Sequence, residues 1–269
     1  MTDGHGPVVV LGASREGGTG WAIAEALSRQ GRHVTVGART RAGIDRLAAQ
    51  IDGTATACDA TVEGDVARFV DAAVAARGPL ESAVLVAGEG VVGNIDDMPE
   101  AEFERCLRLN LYAPVYFVRH AARRLRDGGS IVLMTSIAAT NPWQGYFAYG
   151  AAKAAVHALV GYAALEYAPR RIRVNAVCPG PIETAEAAER LRRNPHVAEA
   201  LTRETPLGRR ATAAEVAEAV AWLALGAPAI TGEWLQVNGG LHLRRPPSAA
   251  EMSAAAQRDA AAREASGRR

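Results

Sequence analysis

The sequence predicts an α/β fold, a doubly wound parallel sheet with helices on both faces in a single domain, and three observations lead there. Short apolar runs alternate with stretches of helical spacing along most of the 269 residues. Gly or Pro stands at many of the junctions, and a Gly-rich loop directly follows the first apolar run. Parallel strands need long crossovers, usually helices, and right-handed crossovers place those helices on both faces of the sheet.

The elements follow in order. Val8–Leu11 is a short apolar run that reads as a buried strand, with its turn in the glycines that follow. Residues 21–30 have helical spacing and end at Gly31, a C-cap residue. Residues 34–36 make a second strand, 44–51 a helix, and Thr54–Ala57 a third strand. The helix over 66–76 is stopped by Gly78-Pro79, and 83–86 is a fourth strand. A long helical region over 100–126 is stopped by Gly128-Gly129, and 130–134 is the fifth strand. A helix over 149–167, a strand over 173–177, a helix over 213–225 and a last strand at Trp234–Val237 complete the alternation. Such βαβ units build the Rossmann-like architecture that binds dinucleotides. Residues 1–243 are expected to form this domain. The character changes in 244–269, which hold Pro246-Pro247, much Ala and scattered charge, so a tail is expected there, disordered or loosely helical and without a catalytic role.

Composition excludes several classes. A formal net charge of +1 gives no general attraction to nucleic acid or membrane. Every long apolar stretch is broken by charge, Gly or Pro, so no transmembrane span is expected. Residues 1–7 include Asp3 and no apolar run, so no signal peptide is expected and the location is read as cytoplasmic. Cys58, Cys106 and Cys178 are odd in number and far apart, which suits a reducing compartment with neither disulfides nor a zinc site. The six histidines are scattered with no His-Glu-x-x-His, so no metal is expected, and no Gly-x-Ser-x-Gly elbow points to a serine hydrolase.

Gly12-Ala-Ser-Arg-Glu-Gly-Gly-Thr-Gly20 lies between the first strand and a helix. Glycines let the backbone approach a pyrophosphate, and a helix N-terminus supplies N–H donors and positive dipole. Gly12, Ser14, Gly18 and Gly20 are therefore candidate cofactor residues. Sites that prefer NAD usually place an acid after the second strand to hold the ribose 2′-hydroxyl. No acid stands between His33 and Gly43, while Arg39 follows the strand and Arg15 lies in the loop. Two guanidinium groups suit a 2′-phosphate, which favours NADP(H). Asp59, after the third strand, is placed to accept the adenine amine or to serve only a turn.

Among 30 Lys plus Arg residues a single Lys occurs, Lys153. A chain so biased to Arg keeps an ammonium where a planar, permanently charged guanidinium will not serve. Tyr149 lies four residues earlier on the same face of a helix. A nearby ammonium is expected to lower the Tyr pKa and make Tyr149 a usable acid or base near neutral pH. Ser136 ends the fifth strand, at the carboxyl edge where such sheets bind ligands.

These pieces together resemble the short-chain dehydrogenase/reductase superfamily over residues 8–241. The resemblance rests on the Gly12 loop, Cys58-Asp59, Val86-Ala-Gly88, Leu109-Asn110-Leu111, Met134-Thr-Ser136, Tyr149-Gly-Ala-Ala-Lys153, Val174-Asn175, Pro179-Gly-Pro-Ile-Glu-Thr184 and the stretch from Ile230-Thr-Gly232 to Val237-Asn-Gly-Gly240. It implies that Tyr149 donates or accepts the proton, Ser136 holds the substrate oxygen, Lys153 binds the nicotinamide ribose and tunes Tyr149, and Asn110 supports a proton-relaying water. It implies that Ala87 and Gly88 border the cofactor and that Pro179, Gly180, Ile182 and Thr184 frame its carboxamide and pyrophosphate. It also implies a homotetramer or homodimer built on the two long helices.

Three departures stand out. The loop is Gly12-x5-Gly18-x-Gly20, two residues longer than the family's Gly-x3-Gly-x-Gly. Leu85-Val86 replaces the usual Asn-Asn before Ala-Gly. Tyr146 precedes Lys153 by seven residues, a spacing seen, like the longer loop, in the enoyl reductase branch. Because Ser136, Tyr149 and Asn110 are all present, ketone reduction is weighed above C=C reduction of acyl thioesters. Trp143 and Tyr146, with Phe147, are expected to wall the substrate pocket, with core packing the alternative. Residues 183–206 look like a mobile helical lid over the site. Four Arg in 119–126 form a solvated face or a surface for an acidic carrier. The expected partner is a small carbonyl or alcohol, free or carrier-bound. A sensor or scaffold that binds NADP(H) without turnover is the alternative of another class.

Overall fold

The computed structural model describes residues 5–267. Seven strands, β1 (Val8–Leu11), β2 (Val34–Ala38), β3 (Thr54–Ala57), β4 (Leu80–Leu85), β5 (Leu125–Met134), β6 (Arg173–Pro179) and β7 (Trp234–Val237), form one sheet in the order β3-β2-β1-β4-β5-β6-β7. Every pairing is parallel; Val10, for example, lies between Val36 and Val84. The chain runs outward from β1 to β3 and then returns to β4 beside β1. That reversal opens a crevice above the carboxyl ends of β1 and β4, where sheets of this kind take their ligands.

Strand periodicity of two divides the core. Val9 and Leu11 point to one layer, with Phe69 of α3 (Glu63–Arg77), Phe117 of α5 (Ala113–Arg124) and Val156 of α6 (Phe147–Tyr167). Val8 and Val10 point to the other, with Ile23 of α1 (Thr19–Arg29), Leu47 of α2 (Arg41–Gln50) and Val220 of α9 (Ala213–Ala221). Both layers are closed to water, so each large aliphatic side chain contributes about 1.5–3 kcal/mol of burial.

The single helix expected over 100–126 is divided. α4 (Glu100–Leu107) passes through a π-helical turn, Arg108–Tyr112, into α5. The helix stops at Arg124, because Leu125 is buried and pairs with Leu80 at the start of β5. Three of the four Arg in 119–126 are already ion-paired: Arg119 with Glu63, Arg124 with Asp71 and Arg126 with Glu81, a carboxylate that Arg32 shares. This face is therefore a poor match for an acidic carrier.

The region expected as a lid folds as α7 (Ala185–Arg192) and α8 (Pro195–Arg203). Residues 249–267, expected as a disordered or loosely helical tail, form a regular helix, α10 (Ala249–Gly267), docked on α8. Two devices explain it. Ser248 and Glu251 make a reciprocal N-terminal cap: Ser248 N–H donates to Glu251 Oε2 (2.8 Å) and Glu251 N–H to Ser248 Oγ (3.2 Å). Farther along, Ala255 and Asp259 are buried against the lid. Among the described residues, no helix is long and apolar enough to cross a membrane.

Candidate functional site

The glycine loop owes its shape to residues without side chains. Gly12 has φ +107°, and a Cβ there would lie 2.4 Å from the Ala87 nitrogen. A Cβ on Gly20 would lie 2.2 Å from the Gly12 carbonyl, so α1 packs against the strand at hydrogen-sized contact. Gly18 is the N-cap of α1, leaving the first N–H groups of that helix facing the crevice. The contacts that the missing Asn-Asn pair left open are made by the main chain: Val86 and Ala87 N–H both donate to the Leu11 carbonyl, at 2.8 and 3.1 Å.

The two extra loop residues reach the lid. Ala185 N–H donates to the Gly17 carbonyl (3.3 Å), a Cβ on Gly17 would strike the Ala185 Cβ at 2.7 Å, and the Arg15 guanidinium pairs with Glu186 of α7. The exposed ion pair adds about 0–1 kcal/mol at most, so its effect is on loop position more than on stability.

Three adjoining spaces run along the crevice. The first, about 600 Å³, is lined by Ser14, Arg15, Arg39, Asp59, Gly88 and Arg190 among others. Arg39 is exposed and, among the described residues, has no ion-pair partner. Asp59 reaches this space, but its Oδ1 already accepts from the Thr61 N–H (2.9 Å) and hydroxyl (2.7 Å), which makes it a turn residue as well. The second space, about 310 Å³, brings together Gly12, Gly18, Gly20, Ala87, Gly88, Lys153, Pro179, Ile182 and Thr184, which the sequence scatters over most of the chain. Thr184 also caps α7, accepting from the Ala187 N–H (3.2 Å). The third, about 240 Å³, is lined by Ser136, Trp143, Tyr146, Tyr149, Gly180 and Pro181 with three neighbours. Gly180, expected on the cofactor side, thus faces this third space. Phe147 does not wall it; its ring stacks on Phe103, centroids 5.9 Å apart, in the core below. The Trp143 indole N–H is enclosed and, among the described residues, has no hydrogen-bond partner.

Tyr149 borders both the second and the third space. Tyr146 meets it edge-on, with ring centroids 6.3 Å apart. Burial pushes the Tyr149 hydroxyl up to about 12, opposed by a hydrogen bond from Ser136. The lowering expected from Lys153 is therefore overturned: desolvation is the larger effect, and it acts on the lysine too. Lys153 is 2% exposed, donates from Nζ to the Met134 carbonyl (2.9 Å), and is pushed down to about 8 by burial.

Asn110 sits in the π-helical turn, a distortion that swings its amide off the regular helix face. Its Nδ2 donates to the carbonyls of Glu89 (3.0 Å) and Cys106 (3.1 Å), and its Oδ1 accepts from the Glu89 N–H (3.2 Å). A Cβ on Gly88 would lie 3.1 Å from Lys153 Nζ and 3.2 Å from Asn110 Oδ1, so both polar groups converge on that glycine.

Some lining residues escaped sequence reasoning. Arg190 and Glu186 come from the lid, which has no motif. Gly43 had a signal: it stands inside α2, where Gly costs roughly 1 kcal/mol relative to Ala. Its Cβ would lie 2.1 Å from the Ser14 carbonyl, so α2 braces the glycine loop through it. Among the described residues no group of three His, Cys, Asp or Glu could hold a metal ion.

A crevice at the switch point of a doubly wound sheet, with a glycine loop and a buried Tyr–Lys pair, defines a dinucleotide-binding protein class. The family profile described as "Enoyl-(Acyl carrier protein) reductase" matches residues 12–242. Dehydrogenase/reductase SDR family member 4 of Homo sapiens is 34% identical over 187 residues, 66% of each chain, so the match spans about two thirds of that relative. 3beta-hydroxysteroid dehydrogenase 1 of Eggerthella lenta is 33% identical over 246 residues, 88% of this chain and 93% of that one. A short-chain type dehydrogenase/reductase from Mycobacterium ulcerans superposes with a TM-score of 0.86 at 30% identity, covering 91% of this chain and 93% of that one. Actinorhodin polyketide ketoreductase, solved with NADPH, superposes with a TM-score of 0.82 at 28% identity over 88% and 97% of the two chains. The chain belongs to the short-chain dehydrogenase/reductase superfamily of oxidoreductases, which bind a nicotinamide cofactor.

Proposed function

We propose that the chain is an NADP(H)-dependent ketoreductase, interconverting a carbonyl and a secondary alcohol. The observation that carries this reading is Tyr149, whose side chain borders both the glycine-loop groove and the third space, with Ser136 lining that third space beside it and Lys153 one helical turn away. The glycine cradle fits a pyrophosphate, since any side chain at Gly12 or Gly20 would fill it. Gly12, Gly18, Gly20 and Thr184 would hold the phosphates, Arg39 and Arg15 the 2′-phosphate, Asp59 and Ser14 the adenosine end, and Ala87, Gly88, Pro179 and Ile182 the nicotinamide half. Bound there, the nicotinamide supplies or takes up a hydride at the carbonyl carbon.

The chain's own residues do the rest. Ser136 fixes the substrate oxygen beside the Tyr149 hydroxyl. Tyr149 keeps its proton at neutral pH and gives it up to the oxygen as negative charge develops there. The Lys153 ammonium supports the tyrosinate left behind. Asn110, pinned between Glu89 and Cys106, orders the path by which Lys153 exchanges protons with solvent. Trp143, Tyr146 and Pro181 exclude water from the reacting bond.

A second reading, reduction of a C=C bond in an acyl thioester, is favoured by the description of the matching profile, the long loop and Tyr146 in the same space as Tyr149. The two part at the tyrosines. Titration with NADPH and NADH, then turnover of a ketone, quinone and enoyl-thioester panel by wild type, Tyr146→Phe and Tyr149→Phe, decides between them. Ketone turnover lost only in Tyr149→Phe supports the first reading; enoyl turnover lost only in Tyr146→Phe replaces it. Assembly as a homotetramer or homodimer through the α4–α5 and α6 faces is supported by Tyr162 and Leu165, 69% and 75% exposed on α6. A cytoplasmic setting is supported by three cysteines that are all free and buried.

A further inference from the structure

The third space, about 240 Å³, is small beside the roughly 300–1,000 Å³ of common ligand pockets. It does not end blindly. Trp143, Tyr146 and Pro181 also line an outer compartment of about 490 Å³. Leu191, Val197 and Leu201 of the lid form one wall of it, and Pro247, Ala249 and Met252 form another. The second wall is thus the start of α10, the segment that the sequence alone makes a loose tail.

Resting on the ketoreductase reading, we propose that α10 is part of the substrate site. Together with the lid it encloses a compartment for the apolar body of a bulky carbonyl compound whose reacting group lies at Tyr149. Two anchors on either side of Met252 make this wall firm enough to select substrate. On one side Glu251 closes the Ser248 cap and pairs with Arg245 and Arg203 of α8. On the other, Ala255 is fully buried and the Asp259 carboxylate accepts from the first N–H groups of α8. Met252 is half-buried between them, with an unbranched, polarisable side chain that adapts to varied apolar shapes. Polar groups, Gln144, Arg190 and Asn194, also line the compartment. They are outnumbered by the apolar and aromatic side chains around them, a balance that suits an apolar molecule held mainly by shape and area.

The test compares two ketones on the full chain: cyclohexanone, and the same ring carrying a phenyl group opposite the carbonyl. Met252→Trp fills the outer compartment. It is expected to raise KM for the phenyl ketone about tenfold or more, in line with the ~1–3 kcal/mol that apolar pocket contacts contribute to discrimination. Cyclohexanone kcat/KM should stay within about twofold, which also reports an intact fold. Met252→Ala should raise the phenyl-ketone KM by only a few fold and again spare cyclohexanone. Equal losses on both ketones, or no change on either, overturn the proposal while leaving the ketoreductase reading in place. If wild type turns over neither ketone, that reading fails. Calorimetric titration of the NADPH-loaded protein with the phenyl ketone then decides the compartment: binding lost in Met252→Trp supports it, and equal or absent binding in both proteins overturns it.

Discussion

Lys153 Nζ lies 5.6 Å from the centre of the Tyr149 ring, and burial moves the two groups in opposite directions, the lysine down to about 8 and the tyrosine up to about 12. Each group is displaced towards its neutral form. The site thus keeps a neutral phenol as its proton donor and an ammonium poised to lose its charge just above neutrality.

That arrangement has a stability cost. The folded-state pKa of Lys153 lies below its ordinary 10.5, so the folded state binds fewer protons than the unfolded one between about 8 and 10.5. Stability on account of this group rises with pH through that window, and the full penalty, roughly 3 kcal/mol, is present below it. Lys153→Met is therefore expected to be inactive yet more stable than wild type by ~1–3 kcal/mol in urea unfolding at pH 7. A variant less stable than wild type would show that the Met134 contact outweighs desolvation.

The same lysine sets a pH limit on turnover. Tyr149 stays protonated up to about 12, so the acid itself does not limit ketone reduction in the ordinary range. The ammonium is lost through about 8. With saturating NADPH, reduction should be level below pH 7 and fall towards tenfold per pH unit above about 8. Lys153→Arg should lose most turnover, and its residual rate should show no break near pH 8, because a guanidinium does not titrate there. A break surviving in that variant would assign it to another group.

Arg39 stands at the end of β2 with no ion-pair partner among the described residues, whereas Arg15 is shared with Glu186. Arg39→Ala should weaken NADPH binding by about 10–100-fold, equivalent to ~1.5–3 kcal/mol for a charged hydrogen bond, and leave NADH binding unchanged. Arg15→Ala should cost less, since the Arg15 charge is already partly neutralised by Glu186 and has less to offer a 2′-phosphate. Equal losses of NADPH and NADH in Arg39→Ala would place the 2′-phosphate elsewhere.

Most of the fold was legible because buried parallel strands write themselves as unbroken apolar runs, as in Val8–Leu11, where all four residues are buried. The site residues were legible where chemistry restricts the choice, as at Gly12, Gly20 and the single lysine. Three things were not. The π-helical turn around Asn110 has no composition of its own, since an inserted residue looks like continued helix. The balance of burial against charge at Tyr149 depends on depth, which spacing does not report. The docking of α10 was hidden because a weakly amphipathic, Ala-rich stretch resembles a solvated tail, although Ser248-Ala-Ala-Glu251 is a capping box readable in the sequence.

Asp259 gives that docking its own test. Its carboxylate accepts from the N–H groups of His196 and Val197, both at 3.1 Å, and from His196 Nδ1 at 2.7 Å, capping α8 from more than sixty residues away. Burial pushes the carboxyl up, but these hydrogen bonds together hold it below its ordinary 3.8. A depressed carboxyl pKa contributes stability that is fully present above the unfolded value and is lost as pH falls through the folded one. The lid and α10 should therefore stay docked at neutral pH and separate only below about pH 4. Asp259→Ala should mimic that separation at pH 7, because the first turn of α8 loses its cap while the sheet core is untouched. In hydrogen exchange, amides of 195–203 and 249–267 should lose protection together in this variant, and those of β1 and β4 should not change. Unchanged protection in α8 would mean that apolar packing at Ala255 alone holds the helices together, and the pH dependence of the lid would disappear with the cap.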